Sequence, residues 1–195
     1  IVIMTLADAV AVYNHDYFHF GLKKQYEDLK NNFSDVPENI VIGYEQVVTA
    51  LTADDIIDKT LNLFKNVCDY MEITVKSKAT ITPNTAETAK EINAPLLAGL
   101  YEEISSTFNK IYVCCENRNY ILAFLSAVCL QRELDDAKAA GCPSYDLLSC
   151  FDYRNLHKLA EITHTIENDF VKLIKNNGGK IKSFDDFEQF IQANL

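Results

Sequence analysis

Apolar residues return every three or four positions along most of this chain, and that period predicts helices. Phe18, Leu22, Tyr26 and Leu29 fall within an arc of about 80° on a helical wheel, with Lys23, Lys24, Glu27 and Asp28 opposite, which predicts an amphipathic helix over 15–31 capped by Asn14. Pro37 is placed to start the next helix, 38–51, in which Gly43 is a weak point. Thr52 followed by Asp55 is a capping pattern and opens a helix over 53–76. Its stripe is Ile56, Leu63, Val67 and Tyr70, widened by Leu61 and Phe64. Asp54, Asp55 and Asp58 sit where the helix dipole favours negative charge.

The second half continues the pattern. Residues 77–84 are polar and predict a linker, which either divides the chain into an N-terminal helical segment, 1–80, and a helical bundle, 81–195, or joins two parts of one continuous domain. A helix over 85–116 should kink or break near Asn93 and Ala94, because Pro95 removes a donor and crowds the preceding turn. Residues 120–130 are apolar on every side, which predicts the central buried helix, running to 140 and stopped by Gly141 and Pro143. A short helical turn is expected over 145–150. Asp152 should then cap a helix over 153–176, where Leu156, Leu159, Thr163, Ile166, Phe170 and Leu173 alternate in threes and fours. Gly178 and Gly179 end it, and Ser183 opens a last short helix.

The first six residues break this rhythm. They are apolar and mostly β-branched, and they predict a short N-terminal strand. Because Ile1 is not an initiator Met, the strand is expected to belong to a larger unit whose preceding part lies outside this chain. The expected fold is therefore all-α: an antiparallel bundle of about six to eight helices with that strand in front.

Composition narrows the function classes. The 195 residues include only 6 Gly and 4 Pro, too few for a collagen-like, disordered or turn-rich β protein. The net charge of −10 argues against nucleic acid as a partner, since phosphate binding needs clustered Lys and Arg. It suits a basic protein or a cationic small molecule. No apolar run reaches the length of a membrane helix. The six cysteines show no Cys-x-x-Cys spacing, and they are expected to be small buried thiols in a reducing, cytoplasmic setting.

Candidate chemistry is sparse. His15 and His19 stand four apart, which on a helix would place two imidazoles on one face as in a two-histidine metal site. No third ligand is placed by sequence, and packing at a core margin explains the pair better. His157, Glu161 and His164 lie within about 60° on the wheel, on the face opposite the apolar stripe, so they are expected to be solvated. Helical bundles that cleave RNA carry Arg followed by His at four to six residues; Arg154 and His157 are three apart and depart from that pattern. There is no nucleophile elbow and no phosphate loop. No catalytic residue is assigned.

One resemblance rests on the order of parts. An apolar opening leads into a helical array; a helix with Tyr101-Glu102-Glu103-Ile104 and Phe108-Asn109-Lys110-Ile111-Tyr112 meets a polar turn; then comes the buried run from Tyr120 to Val128. This resembles the helical C-terminal region of polymerase-β-like nucleotidyltransferases, including aminoglycoside-modifying members. The resemblance implies a substrate-side or accessory domain whose partner is a neighbouring catalytic domain, which would hold the nucleotide and magnesium. The family's Gly-Ser with Asp-x-Asp does not occur here, so no cofactor is assigned to this chain. The other expectation is a protein-interaction bundle without enzymatic activity.

Overall fold

A computed structural model describes residues 1–74 and 91–182, with 189, 191 and 192. Seven α-helices pack together: α1 (Val2–Tyr13), α2 (Gln25–Asn31), α3 (Glu38–Val48), α4 (Ala53–Tyr70), α5 (Ala94–Glu116), α6 (Tyr120–Ala137) and α7 (His157–Asn176). There is no strand among the described residues. None of their helices is long and apolar enough to cross a membrane. The linker expected over 77–84 and the helix start at Ser183 lie outside the described residues.

Two apolar clusters meet at α6. One gathers Ile3, Val10, Leu29, Ile40, Tyr44, Leu63 and Val67 from α1–α4. The other gathers Leu97, Phe108, Ile111, Leu159, Ile166 and Phe170 from α5 and α7. Helix α6 gives Ile121 and Leu125 to the first, and Ala123, Ala127, Leu130 and Leu134 to the second. A helix walled on both sides must be apolar all round, which is why 120–130 reads that way.

Several expectations need correction. The first six residues are not a strand: they open α1, where Ile3, Ala7, Val10 and Ala11 are buried at helical spacing. Burial of that face outweighs the β-preference of Val and Ile. The helix expected over 15–31 does not form over 15–21. α1 stops at Tyr13, His15 is in the left-handed region at φ 55, and Gly21 has φ 75. One 3₁₀ turn, Leu22–Lys24, precedes a short α2, and Leu22 is exposed. The break expected near Asn93 and Ala94 is present: α5 begins at Ala94 with Pro95 in its first turn, where its missing N–H has no intrahelical partner, and the Asn93 side chain accepts from the Leu96 amide. Asp152 does not cap α7, which begins only at His157. Leu61 and Phe64 do not widen the buried stripe of α4; both face outward.

Other expectations stand. The Thr52 hydroxyl accepts from the Asp55 amide at the start of α4, and Pro37 precedes α3. Gly141 closes the 3₁₀ turn after α6 in the left-handed conformation, φ 86. Gly43 lets α3 approach α4: a Cβ there would stand 3.1 Å from Leu63 Cδ1. All six cysteines are free thiols, with Cys68, Cys114 and Cys142 buried and the other three half-buried.

Candidate functional site

A groove lies between the C-terminal end of α5 and the outer face of α7, with a volume of about 820 Å³. Aromatic packing fixes its two long walls. Tyr101 of α5 stacks on Phe170 of α7 with ring centroids 6.2 Å apart. The third wall is the loop before α7. Gln131 of α6 anchors the chain leading into it, donating to the Tyr145 carbonyl at 2.9 Å and accepting from the Leu147 amide at 2.8 Å. The ring of Tyr153 on this loop meets Tyr120 edge-on.

Glu167 lines the groove and is held from two sides. The Tyr101 hydroxyl donates to one carboxylate oxygen at 2.9 Å and the Tyr112 hydroxyl to the other at 2.7 Å. Burial, reinforced by Glu167, pushes the Tyr101 phenol up to about 12, and moves Tyr112 in the same direction for the same reasons. Both therefore remain donors at any physiological pH. Each carboxylate oxygen keeps further acceptor capacity for a ligand.

The groove is also lined by Glu116, Glu161, Arg118, Arg154, His157 and His164. Arg154 is chelated by Asp152, Nε to Oδ1 at 3.0 Å and Nη2 to Oδ2 at 2.9 Å. That pair neutralises one of the two guanidiniums and fixes its plane. His157 Nε2 lies 3.2 Å from Glu161 Oε1, both well exposed. His164 packs edge-on against Tyr112. Cys115 also lines the groove, but burial, then Cys114 and Glu116, raise its thiol to about 11. A protonated thiol is a poor nucleophile. The lining can bind charge and hydroxyls; it presents no nucleophile paired with a base.

The structure treats the two histidine sets differently. His15 and His19 fall in the irregular segment after α1, so the shared helix face does not form. His19 Nε2 is 3.9 Å from Asp16 Oδ1, and its ring lies against Tyr17. No group of three or more His, Cys, Asp or Glu among the described residues could hold a metal ion. His157, Glu161 and His164 do share one face of α7 and are all exposed, as expected, and that face forms one side of the groove. Arg154 and His157 line the same groove, each already paired with its own carboxylate.

Sequence reasoning missed Tyr101, Tyr112 and Glu167. A signal was present: Tyr101 and Tyr112 are eleven residues apart, about three helical turns, and so fall on one face of α5. Glu167 adjoins Ile166 on the buried stripe, an unusual place for a carboxylate without partners. A similar arrangement serves the other cluster, where Glu45 of α3 accepts from the hydroxyls of Tyr26, at 2.9 Å, and Tyr120. No family model, no curated protein and no solved structure matches the chain.

Proposed function

We propose that this chain is the substrate-side helical unit of a nucleotidyltransferase-like enzyme, an antiparallel bundle whose groove between α5 and α7 holds a cationic, hydroxyl-bearing acceptor. The observation that supports this reading is Glu167, an acceptor fixed by two phenols at one end of a groove that also carries Glu116 and Glu161. With Arg154 neutralised by Asp152, only Arg118 is left to oppose three carboxylates, so the lining favours ammonium groups. The rings of Tyr112 and Tyr153 offer flat apolar surface for a sugar-like or cyclic scaffold. The nucleotide and magnesium would belong to a separate catalytic unit, and this chain alone transfers nothing.

Calorimetric titration with an aminoglycoside and with an uncharged oligosaccharide of similar size tests the groove. The aminoglycoside should bind and the neutral sugar should not. Glu167→Gln should weaken binding about tenfold, the loss of roughly 1.4 kcal/mol from one charge-assisted contact. Equal affinity for the two ligands would sink the cationic-acceptor reading. The nucleotidyltransferase assignment has its own test in the coding sequence upstream of Ile1, which should contain Gly-Ser and Asp-x-Asp on a strand.

A second reading, a bundle that docks a protein partner, is favoured by a different surface, the outer face of α4.

A further inference from the structure

Helix α4 buries Leu63 and Val67 against α1 and α3, yet it also carries a second apolar stripe that no described residue covers. Ile57, Leu61 and Phe64 follow i, i+4, i+7 spacing and are 56%, 60% and 38% exposed. They fall within an arc of about 60° on the helix, beside the face that buries Leu63 and Val67. Cys68, next on that arc, is buried, so the stripe spans the first two-thirds of the helix. Three large side chains aligned in this way are the anchor pattern of helix-in-groove recognition, whereas singly scattered exposed apolar residues are ordinary.

The charges beside the stripe select its occupant. Asp54, Asp58 and Asp69 run along one flank, all exposed, with Lys65 the one base among them by helical position. None of the four forms an ion pair among the described residues; the Lys59–Asp55 pair lies on the other side of the helix. A second copy of this chain would bring the same acidic flank and a net charge of −10 against its own. Like charges brought face to face in this way oppose self-association.

We infer that the outer face of α4 docks an amphipathic helix of a partner protein, one whose apolar stripe is bordered by Lys or Arg. The apolar anchors supply the affinity, and the aspartates set the orientation and speed encounter.

The test uses the full chain and a labelled synthetic helix of Leu and Lys, with a Leu and Glu helix of identical apolar face as its counterpart, read by fluorescence anisotropy. The Leu/Lys helix should bind and the Leu/Glu helix should bind at least tenfold more weakly. Leu61→Ser should lower affinity for the Leu/Lys helix at least tenfold while leaving the melting temperature unchanged, since Leu61 is exposed. The double variant D54N/D58N should bind several-fold more weakly and with a shallower salt dependence. Undiminished binding by Leu61→Ser would mean that charge alone attracts the probe, and the inference fails. It also fails if the two helices bind equally, or if sedimentation shows a dimer that Leu61→Ser dissolves. None of these outcomes bears on ligand binding in the α5–α7 groove.

Discussion

Glu45 and Glu167 each sit between two phenols, and for Glu45 that placement has a pH signature. Hydrogen bonds from Tyr120 and then Tyr26 hold the Glu45 carboxyl below its usual range, against the opposing effect of burial. A depressed carboxylate contributes stability that is complete above the ordinary glutamate pKa and is lost as pH falls through the lowered native value. Tyr120→Phe removes one of the two donors. It should cost about 1–2 kcal/mol at pH 7, the worth of a hydrogen bond to a charged group trimmed for partial solvent screening. Urea melts should show the gap between wild type and Tyr120→Phe narrowing steadily once pH drops below the glutamate range. A gap that stays constant from pH 7 to 3 would assign the loss to ring packing instead. The same logic makes Tyr112→Phe a probe of the groove: Glu167 keeps Tyr101 but loses its shorter bond. Aminoglycoside affinity should then fall a few-fold, measured by the same titration that tests Glu167→Gln.

At the level of elements, the sequence was readable wherever one helix face met one core. Helices α4 and α7 keep a clean period, and the Thr52 cap and the glycine stop mark one end of each, so their existence and one limit of each follow from the sequence, while α4 ends at Tyr70 and α7 begins at His157. The failures have physical causes. The opening residues carry β-branched side chains that local preference assigns to a strand, and only the tertiary contacts of Ile3 and Val10 make them helical. The stretch 15–24 has helical spacing, but the backbone turns at His15 and Gly21, and no periodicity rule detects a left-handed residue that is not glycine. The outer stripe of α4 looked like more core, because a wheel cannot tell a covered apolar face from an uncovered one. The groove was invisible for a related reason: its walls come from α5, α7 and a loop, and only packing brings them together. Gly141 is where local and tertiary demands coincide. Its φ of 86 suits glycine, and an added Cβ would stand 2.8 Å from both the Glu91 carbonyl oxygen and Ile92 Cα. The Asn93 amide donates to the neighbouring Ala140 carbonyl at 2.9 Å, so that backbone has little room to yield. Gly141→Ala should therefore cost about 2 kcal/mol or more, the left-handed penalty plus the displaced strand of backbone. Thermal unfolding measures it; a loss under 0.5 kcal/mol would mean the segment at 91–92 shifts freely.

For the molecule as a whole, the decisive feature is that α6 belongs to both apolar clusters. Leu125 and Leu130 are each fully buried, five residues apart on one helix, yet in different clusters. Neither cluster can lose its packing without exposing one side of α6, and exposure of that side weakens the helix that the other cluster needs. Two cores coupled through one buried helix should unfold together, even though the chain divides visibly into an α1–α4 half and an α5–α7 half. Phe170 offers the test. It is fully buried against Tyr101 on the α5–α7 side and contributes nothing to the α1–α4 cluster. Phe170→Ala should cost about 3–5 kcal/mol through lost transfer energy and a residual cavity. Native-state hydrogen exchange reads where that cost is felt. If α6 couples the halves, the slowest amides of α3 and of α7 lose protection by the same amount, because both exchange only on global opening. If the amides of α3 keep their protection while those of α7 lose it, the halves are separate cooperative units and α6 is divided between them. Coupling would also carry function: ligand held at Glu167 against α7 and a helix docked on α4 would then stabilise the same folded state, and each would raise the melting temperature of the whole chain by an amount that grows with the logarithm of its concentration over its Kd.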